Sequence, residues 1–375
     1  MPLAASTRAD ELTYVEGSTA KVAQLTGDYD MSLGIPTLSR TGTRFGLVAT
    51  DLGSSFEHRG KLYFLFGDTW GRPGDRDVLA WTTAHSPDKI SLDCRLAPDE
   101  KWQPLTVPGI SQGAFEVPTG GVSIGGKMFV VFTTDHSAEK TMGRSVLALS
   151  QDDGNTFRKL YDLSTSKFIN VSLWPTRDWL YIFGSGAYRK SSVFLAKIKP
   201  SALFDPSNLL YLTGVAANKK PDWSAHEEDA VPLFRHEVIG ELSIAYCKPI
   251  RRYVMLYNSA EPRGITMRSA ETPWGPWSAG TIIFEPTRDN AYGHFMHMPS
   301  GSNPKGDTVS DLHRESLWGG EYGPFIMSRF TTGTDENCRI YYTMSTWNPY
   351  QVVVMRSDLK LLPLPVSAGN PHKSP

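Results

Sequence analysis

The chain has 375 residues and a formal charge of −1, from 38 Lys and Arg against 39 Asp and Glu. Its 33 Gly and 26 Pro argue against a helical bundle or coiled coil, because these residues interrupt helices and form turns. The balanced charge argues against a nucleic-acid partner. The chain contains no run of about 18 apolar residues, the length that a membrane-spanning helix needs.

An apolar run rich in β-branched and aromatic residues recurs along the chain and predicts a buried strand each time. The runs are LYFLFGD from Leu62, MFVVFTT from Met128, LYIFGSG from Leu180, YVMLYNS from Tyr253 and IYYTMST from Ile340. Each is followed by a turn and a second strand, and each is preceded by a strand that ends in a hairpin signal. Such units, roughly fifty to ninety residues apart, predict an all-β fold, a five-bladed β-propeller with inserted loops.

The same pattern predicts one domain over residues 14–362, between an N-terminal tail (1–13) and a disordered C-terminal tail (363–375). Residues 14–25 carry alternating apolar positions, and we expect them to supply the outer strand of the last blade and so close the ring. Residues 150–157 match the Asp-box pattern S-x-D-x-G-x-T-W/F, a structural hairpin turn of propeller blades.

Polar residues precede each apolar run at the position where the innermost strand of a propeller blade begins. Since these positions lie on one rim, the following side chains are expected to converge: Asp51, Glu116, Asn170, Glu241 and Glu321. Clustered carboxylates repel one another and raise at least one pKa, so a fold keeps them only with bound cations, hydrogen bonds or a function in compensation. Individual acids could instead fasten neighbouring blades.

Two acids with separated pKa values on a concave face are what glycoside hydrolysis requires. The catalytic candidates are Asp51, Glu241, Glu321 and Asp68. Asp68, in FGDTW, either tunes the pKa of Asp51 or holds a turn. Aromatic rings beside amides and acids are typical of a sugar groove. The substrate-binding candidates are Glu116, Asn170, Trp70, Trp174, Tyr322, Trp347, Tyr350 and His294.

Each Trp could alternatively belong to the core between blades. His294 and His297 lie three residues apart in a Gly- and Pro-rich loop without the HExxH geometry, so we expect substrate contacts or loop packing rather than a zinc site. No metal site is predicted and no cofactor is required, although a ring of acids leaves room for a cation on the axis.

Seven segments in this order resemble a known bacterial propeller family. They are ATDLG (49–53), YFLFGDTW (63–70), FEVPTGGV (115–122), GELSIAY (240–246), RSAETPWGPWS (268–278), EYGPFI (321–326) and YYTMSTWNPYQVVVMRS (341–357). The family was formerly a domain of unknown function and is now recognised as glycoside hydrolases that cleave D-arabinan. The resemblance covers residues 26–362, and it implies an endo-D-arabinanase acting on arabinogalactan and lipoarabinomannan of the mycobacterial type.

The resemblance also carries over the site acids as Asp51, Asp68, Glu241 and Glu321. Analogy with other five-bladed arabinan and fructan hydrolases makes Asp51 the nucleophile or base and Glu241 the acid. The resemblance further implies action outside the cell or in the cell envelope. Since residues 1–10 lack a signal peptide, we expect that one has been removed. The expected partner is a polysaccharide, and we expect a monomer.

Three rival functions remain. A sialidase would need convergent arginines, and none of the five rim positions is Arg. A propeller lectin would use the acids only to accept hydrogen bonds from hydroxyls, yet binding alone does not need four carboxylates. A hydrolase of another furanoside, such as L-arabinan or a fructan, would show the same sequence pattern as a D-arabinan hydrolase.

Overall fold

The computed structural model describes residues 10–300 and 309–363. Ahead of the first blade lie β1 (Asp10–Tyr14), β2 (Ala20–Gln24), the hairpin of β3 (Tyr29–Asp30) and β4 (Ile35–Pro36), and helix α1 (Thr41–Phe45). Short 3-10 turns lie at Pro87–Lys89, Pro200–Ala202, Pro206–Asn208, Glu227–Asp229 and Ser328–Phe330. Within the described residues, no helix is long and apolar enough to cross a membrane.

Five antiparallel sheets follow one another along the chain, which confirms the predicted all-β, five-bladed propeller. Blade one contains β5 (Ala49–His58), β6 (Lys61–Trp70), β7 (Arg76–Thr82) and β8 (Asp93–Cys94). Blade two contains β9 (Pro118–Ile124), β10 (Lys127–Thr134), β11 (Arg144–Ser150) and β12 (Arg158–Ser164). Blade three contains β13 (Asn170–Pro175), β14 (Leu180–Ser185), β15 (Val193–Ile198), β16 (Leu210–Val215) and β17 (Pro221–Ser224).

Blade four contains β18 (Ile239–Cys247), β19 (Arg252–Ala260), β20 (Arg263–Ala270) and β21 (Thr281–Phe284). Blade five contains β22 (Gly320–Ile326), β23 (Thr332–Gly333), β24 (Asn337–Trp347) and β25 (Gln351–Pro363). The first strands of the blades contact one another in sequence, and β22 returns to β5, so they surround a central axis.

The five apolar runs are the second strands of their blades, and both of their faces are buried. In β6, Phe64 and Phe66 pack towards blade five, whereas Tyr63 and Leu65 pack towards blade two. Equivalent apolar clusters fill the other three interfaces between blades. Because alternate side chains enter different interfaces, these strands are apolar throughout rather than at every second position.

The ring is closed without a covalent link by the chain that precedes blade one. β1 pairs with β25 from Asp10 opposite Pro363, and β2 pairs with β25 from Ala20 opposite Arg356. The predicted closing role of residues 14–25 is thus confirmed for β2. The N-terminal boundary needs correction, because residues 10–13 belong to β1 rather than to a tail. The remaining predicted tails, 1–9 and 364–375, lie outside the described residues.

Candidate active site

A cavity of about 330 Å³ opens at the rim where the first strands begin. It brings all four predicted catalytic acids into one space. The lining residues are Asp51, Leu52, Asp68, Phe115, Val117, Met142, Tyr188, Arg189, Glu241, Gly320, Glu321, Tyr322, Trp347 and Tyr350. The strand residues among them belong to blades one, four and five, and the others lie in loops of blades two, three and five.

Asp51 enters the cavity from an irregular part of β5. The register between β5 and β6 shifts on both sides of Asp51, and Leu52 and Gly53 have φ angles of 63° and 93°. The Leu52 amide donates to Ser345 Oγ at 2.7 Å, which fastens this bend to blade five. The bend therefore fixes the direction of the carboxylate. Its Oδ2 accepts from the Tyr322 hydroxyl at 3.0 Å, and its buried Oδ1 has no hydrogen-bond partner among the described residues.

Asp68 lies on the neighbouring strand, one residue after Gly67, which pairs with Asp51. Its φ angle is 39°, and its buried Oδ1 also lacks a described partner. Burial raises the pKa of Asp68 to about 8, with further contributions from the charges of Asp51, Asp75 and Glu116. The first blade therefore places two incompletely hydrogen-bonded carboxyl groups side by side.

The pKa of Asp51 is raised less, to about 6. Burial is again the largest cause, and the charge of Glu241 adds to it. The Tyr350 and Tyr322 hydroxyls and the charge of Arg189 act in the opposite direction by stabilising the ionised form. Near pH 7 the two neighbouring acids therefore favour different protonation states.

Glu241 is held by an arginine that the sequence analysis did not identify. Arg189 Nη2 lies 3.0 Å from Oε1 and 3.2 Å from Oε2 of Glu241, whose side chain is only 5% exposed. The guanidinium also lies 4.9 Å from the Tyr188 ring centroid and 5.3 Å from that of Tyr322. The buried carboxylate is thus compensated by an ion pair, and the aromatic faces stabilise the guanidinium.

We expect Arg189→Met to lower the free energy of unfolding by about 2 kcal/mol, because it leaves Glu241 buried without its partner. Urea denaturation would measure this loss. Arg59→Met is the matched control, since the Arg59–Asp153 pair is largely exposed and should contribute less than about 1 kcal/mol. Equal losses in both variants would contradict a special role for the Arg189–Glu241 pair.

Glu321 is likewise paired. Arg263 donates from Nε to Oε1 at 3.1 Å and from Nη2 to Oε2 at 2.9 Å, and the Glu321 side chain is 3% exposed. Of the four predicted catalytic acids, two are therefore bound by arginine, and two, Asp51 and Asp68, are not.

The predicted substrate-binding residues divide into two groups. Tyr322, Tyr350 and Trp347 line the cavity. Trp70 lies behind them, with its ring 5.0 Å from that of Tyr350 and 4.6 Å from the Arg314 guanidinium. His294 is exposed and does not line the cavity.

Glu116, Asn170 and Trp174 do not line the cavity either. Glu116 Oε1 accepts from Ser111 Oγ at 2.6 Å and from the His136 amide at 2.9 Å, so it fastens a loop. Asn170 is the first residue of β13 and is buried, and its Oδ1 has no described partner. The expectation that Trp174 lies near the acid rim is wrong, because it is near the far end of β13 and lines a different cavity.

That second cavity, of about 280 Å³, lies further along the first strands and contains Ser54, Ser172 and Ser243. An apolar cluster lies between the two cavities. Leu52, Val117 and Tyr322 of the acid site belong to the same cluster as Phe325, which lines the second cavity. This cluster forms an apolar floor beneath the acids.

The residues that sequence reasoning missed are Tyr188, Arg189, Arg263, Phe115 and Met142. Arg189 and Arg263 pair with acids 52 and 58 positions away, and no local pattern marks such pairs. Among residues 10–300 and 309–363, no cluster of His, Cys, Asp and Glu side chains is arranged to hold a metal ion. Catalysis without a cofactor stays a prediction.

Comparison with known proteins gives relatives in sequence and in fold. The Notoamide biosynthesis cluster protein J' of Aspergillus versicolor is 26% identical over 297 residues, which cover 68% of this chain and 78% of that protein. A Bacteroides ovatus protein provisionally described as a hydrolase has a TM-score of 0.58 at 13% identity, covering 95% of this chain and 96% of that one.

The exo-β-1,3-galactanase of Phanerochaete chrysosporium, solved with β-1,3-galactotriose, has a TM-score of 0.50 at 10% identity. The match covers 94% of this chain and 65% of that one. At such identities the likeness to solved structures establishes the fold alone. The family model described as "Domain of unknown function (DUF4185)" matches residues 37–356, and the chain belongs to this family.

Proposed function

We propose that this protein is a glycoside hydrolase that cleaves internal α-D-arabinofuranosyl linkages of D-arabinan with two carboxyl groups. The observation that carries the proposal is the pair Asp51 and Asp68, which share one cavity with pKa values held apart at about 6 and about 8. Enzymes that hydrolyse glycosides need one protonated and one ionised carboxyl group at the same pH.

The separated pKa values assign a role to each acid. Asp68 keeps its proton near neutrality and donates it to the leaving glycosidic oxygen. Asp51 is largely ionised and attacks the anomeric carbon or activates water, with its charge stabilised by the Tyr322 hydroxyl. Both acids have a buried Oδ1 that accepts no hydrogen bond from a described group.

This assignment differs from the analogy that makes Glu241 the acid. Glu241 lies in an ion pair with Arg189, and Glu321 lies in one with Arg263. Because the oxygens of both carboxylates already accept hydrogen bonds from an arginine, we assign Glu241 and Glu321 to binding sugar hydroxyls and not to proton donation.

The motif resemblance supports D-arabinan as the substrate. It includes the segments around Asp51, Asp68, Glu241 and Glu321. The aromatic wall of Tyr322, Tyr350 and Trp347 is suited to a neutral sugar. We further propose that the protein acts outside the cell or in the cell envelope, where such a polysaccharide occurs, and that it works as a monomer.

The test is to incubate the protein with mycobacterial-type arabinogalactan, plant L-arabinan and a fructan, and to size the products. Short D-arabinose oligosaccharides are expected from the first substrate only. Products from L-arabinan or the fructan alone would reassign the sugar. Binding of arabinogalactan without cleavage would replace the hydrolase by a carbohydrate-binding propeller.

A further inference from the structure

Two tryptophans on blade five are exposed beside the acid cavity. Trp347 is 39% exposed and lines the cavity, whereas Trp318 is 45% exposed and lies outside it. Trp318 lies two residues before Gly320, which pairs with Trp347 between β22 and β24. The two tryptophans therefore start from nearby backbone positions on the same side of blade five.

The backbone that carries Trp318 is held in place by several contacts. Its ring meets that of Tyr292 edge to face, with centroids 4.9 Å apart at 74°. The Tyr292 hydroxyl donates to Gly319 O at 3.3 Å, and the Gly319 amide donates to His297 O at 2.8 Å. A Cβ at Gly319 would lie 2.8 Å from Asn348 O, so only glycine fits this close approach.

One face of Trp347 is already occupied. The Arg314 guanidinium lies 3.8 Å from its ring centroid and 4.6 Å from that of Trp70. Since Arg314 covers this face, the exposed part of the indole is directed away from the guanidinium. A sugar ring could stack there without displacing the protein's own contacts.

Hydrogen-bonding groups lie between the two tryptophans. Arg263, whose side chain is 48% exposed, binds Glu321 and donates to Gly319 O at 3.3 Å. Its guanidinium also lies 5.9 Å from the Tyr292 ring centroid. Exposed apolar rings beside a cavity mark ligand-binding grooves, and alternating rings and polar groups suit the faces and hydroxyls of sugars.

We propose that Trp318 and Trp347 form a track that holds successive sugar units of an arabinan chain whose cleaved bond lies in the acid cavity. This inference rests on the proposed function and deepens it. The occupant is a neutral oligosaccharide long enough to reach from the acids to Trp318. The track makes chain length a determinant of affinity, as expected for an enzyme that cleaves within polymers.

The test uses Asp51→Asn as a background that binds but does not cleave. Linear D-arabinan oligosaccharides of increasing length are titrated calorimetrically into this variant with and without Trp318→Ala. The Trp318→Ala change is expected to weaken binding of the longer oligosaccharides about tenfold and of the shortest far less. Trp318→Phe should restore most of the affinity. Phe204→Ala, at a 51% exposed aromatic residue in the loop after β15, is the matched control and should have no effect.

In the active protein, Trp318→Ala should raise KM for the polymer about tenfold with little change in kcat, a split that a folding defect would not produce. Equal binding of all lengths with and without Trp318→Ala would overturn the track even if arabinan is cleaved. Length-dependent binding through Trp318 in a protein that cleaves no arabinan would overturn the proposed hydrolase function but support the track. If Asp51→Asn binds no oligosaccharide, the track is overturned too.

Discussion

Replacing Asp51 by asparagine is expected to reduce arabinan hydrolysis about a thousandfold or more while leaving the melting temperature at or above that of the wild type. The asparagine keeps the acceptor for the Tyr322 hydroxyl but removes the charge that the reaction needs. Initial rates of oligosaccharide release and a thermal melt at pH 7 measure the two effects.

The stability part of this prediction follows from the sign of the pKa shift. The folded state raises the pKa of Asp51 from 3.8 to about 6, so it binds the proton more tightly than the unfolded chain. The stability from this proton is fully present below pH 4 and is lost as pH rises through about 6. At pH 7 the ionised carboxylate therefore destabilises the folded state, and Asp51→Asn removes this destabilisation.

Asp93→Asn is the matched control, because Asp93 is 57% exposed on the outer strand of the same blade. It should leave hydrolysis at the wild-type rate. A large fall in the melting temperature of Asp51→Asn would instead identify Asp51 as a structural residue. Full activity in Asp51→Asn would remove it from the mechanism.

Replacing Asp68 by asparagine is expected to lower kcat/KM by about a hundredfold to ten-thousandfold and to remove the alkaline limb of its pH profile. In the wild type, the coupled pair should give a bell-shaped dependence of kcat/KM on pH, with apparent pKa values of about 6 and about 8. Activity is lost below the first value, where Asp51 is protonated, and above the second, where Asp68 is ionised.

The pH profiles of Asp68→Asn and Glu241→Gln, measured on the same oligosaccharide, separate the two candidate acids. If Glu241→Gln removes the alkaline limb and Asp68→Asn keeps it, Glu241 is the proton donor. Asp68→Asn should also flatten the loss of stability between about pH 4 and about pH 8, because over this range the folded state binds the Asp68 proton more tightly than the unfolded chain does.

The propeller could be predicted from the sequence because its second strands leave a strong local signal. Runs such as LYFLFGD are apolar on both faces, since each strand is enclosed by two neighbouring blades. The closing strand was predictable from the alternating apolar positions of residues 14–25, whereas the start of β1 at Asp10 was not, because DELTY carries little apolar pattern.

The candidate site was only partly predictable. Counting backwards from the apolar runs located Asp51, Glu241 and Glu321, whose positions depend on strand register alone. It could not show that Glu116 faces Ser111, because that depends on how an inserted loop folds. It placed Trp174 near the acids because the length of β13 cannot be read from composition. The pairing of two acids with Arg189 and Arg263 depends on distant contacts.

The apolar floor beneath the acids determines how a polymer can approach them. Leu52 and Val117 line the acid cavity and belong to the same apolar cluster as Phe325, which lines the second cavity. Since apolar side chains separate the two cavities, we expect a polysaccharide to lie across the open rim rather than to thread through the ring. Both fragments would then depart from the same face on which the chain arrived.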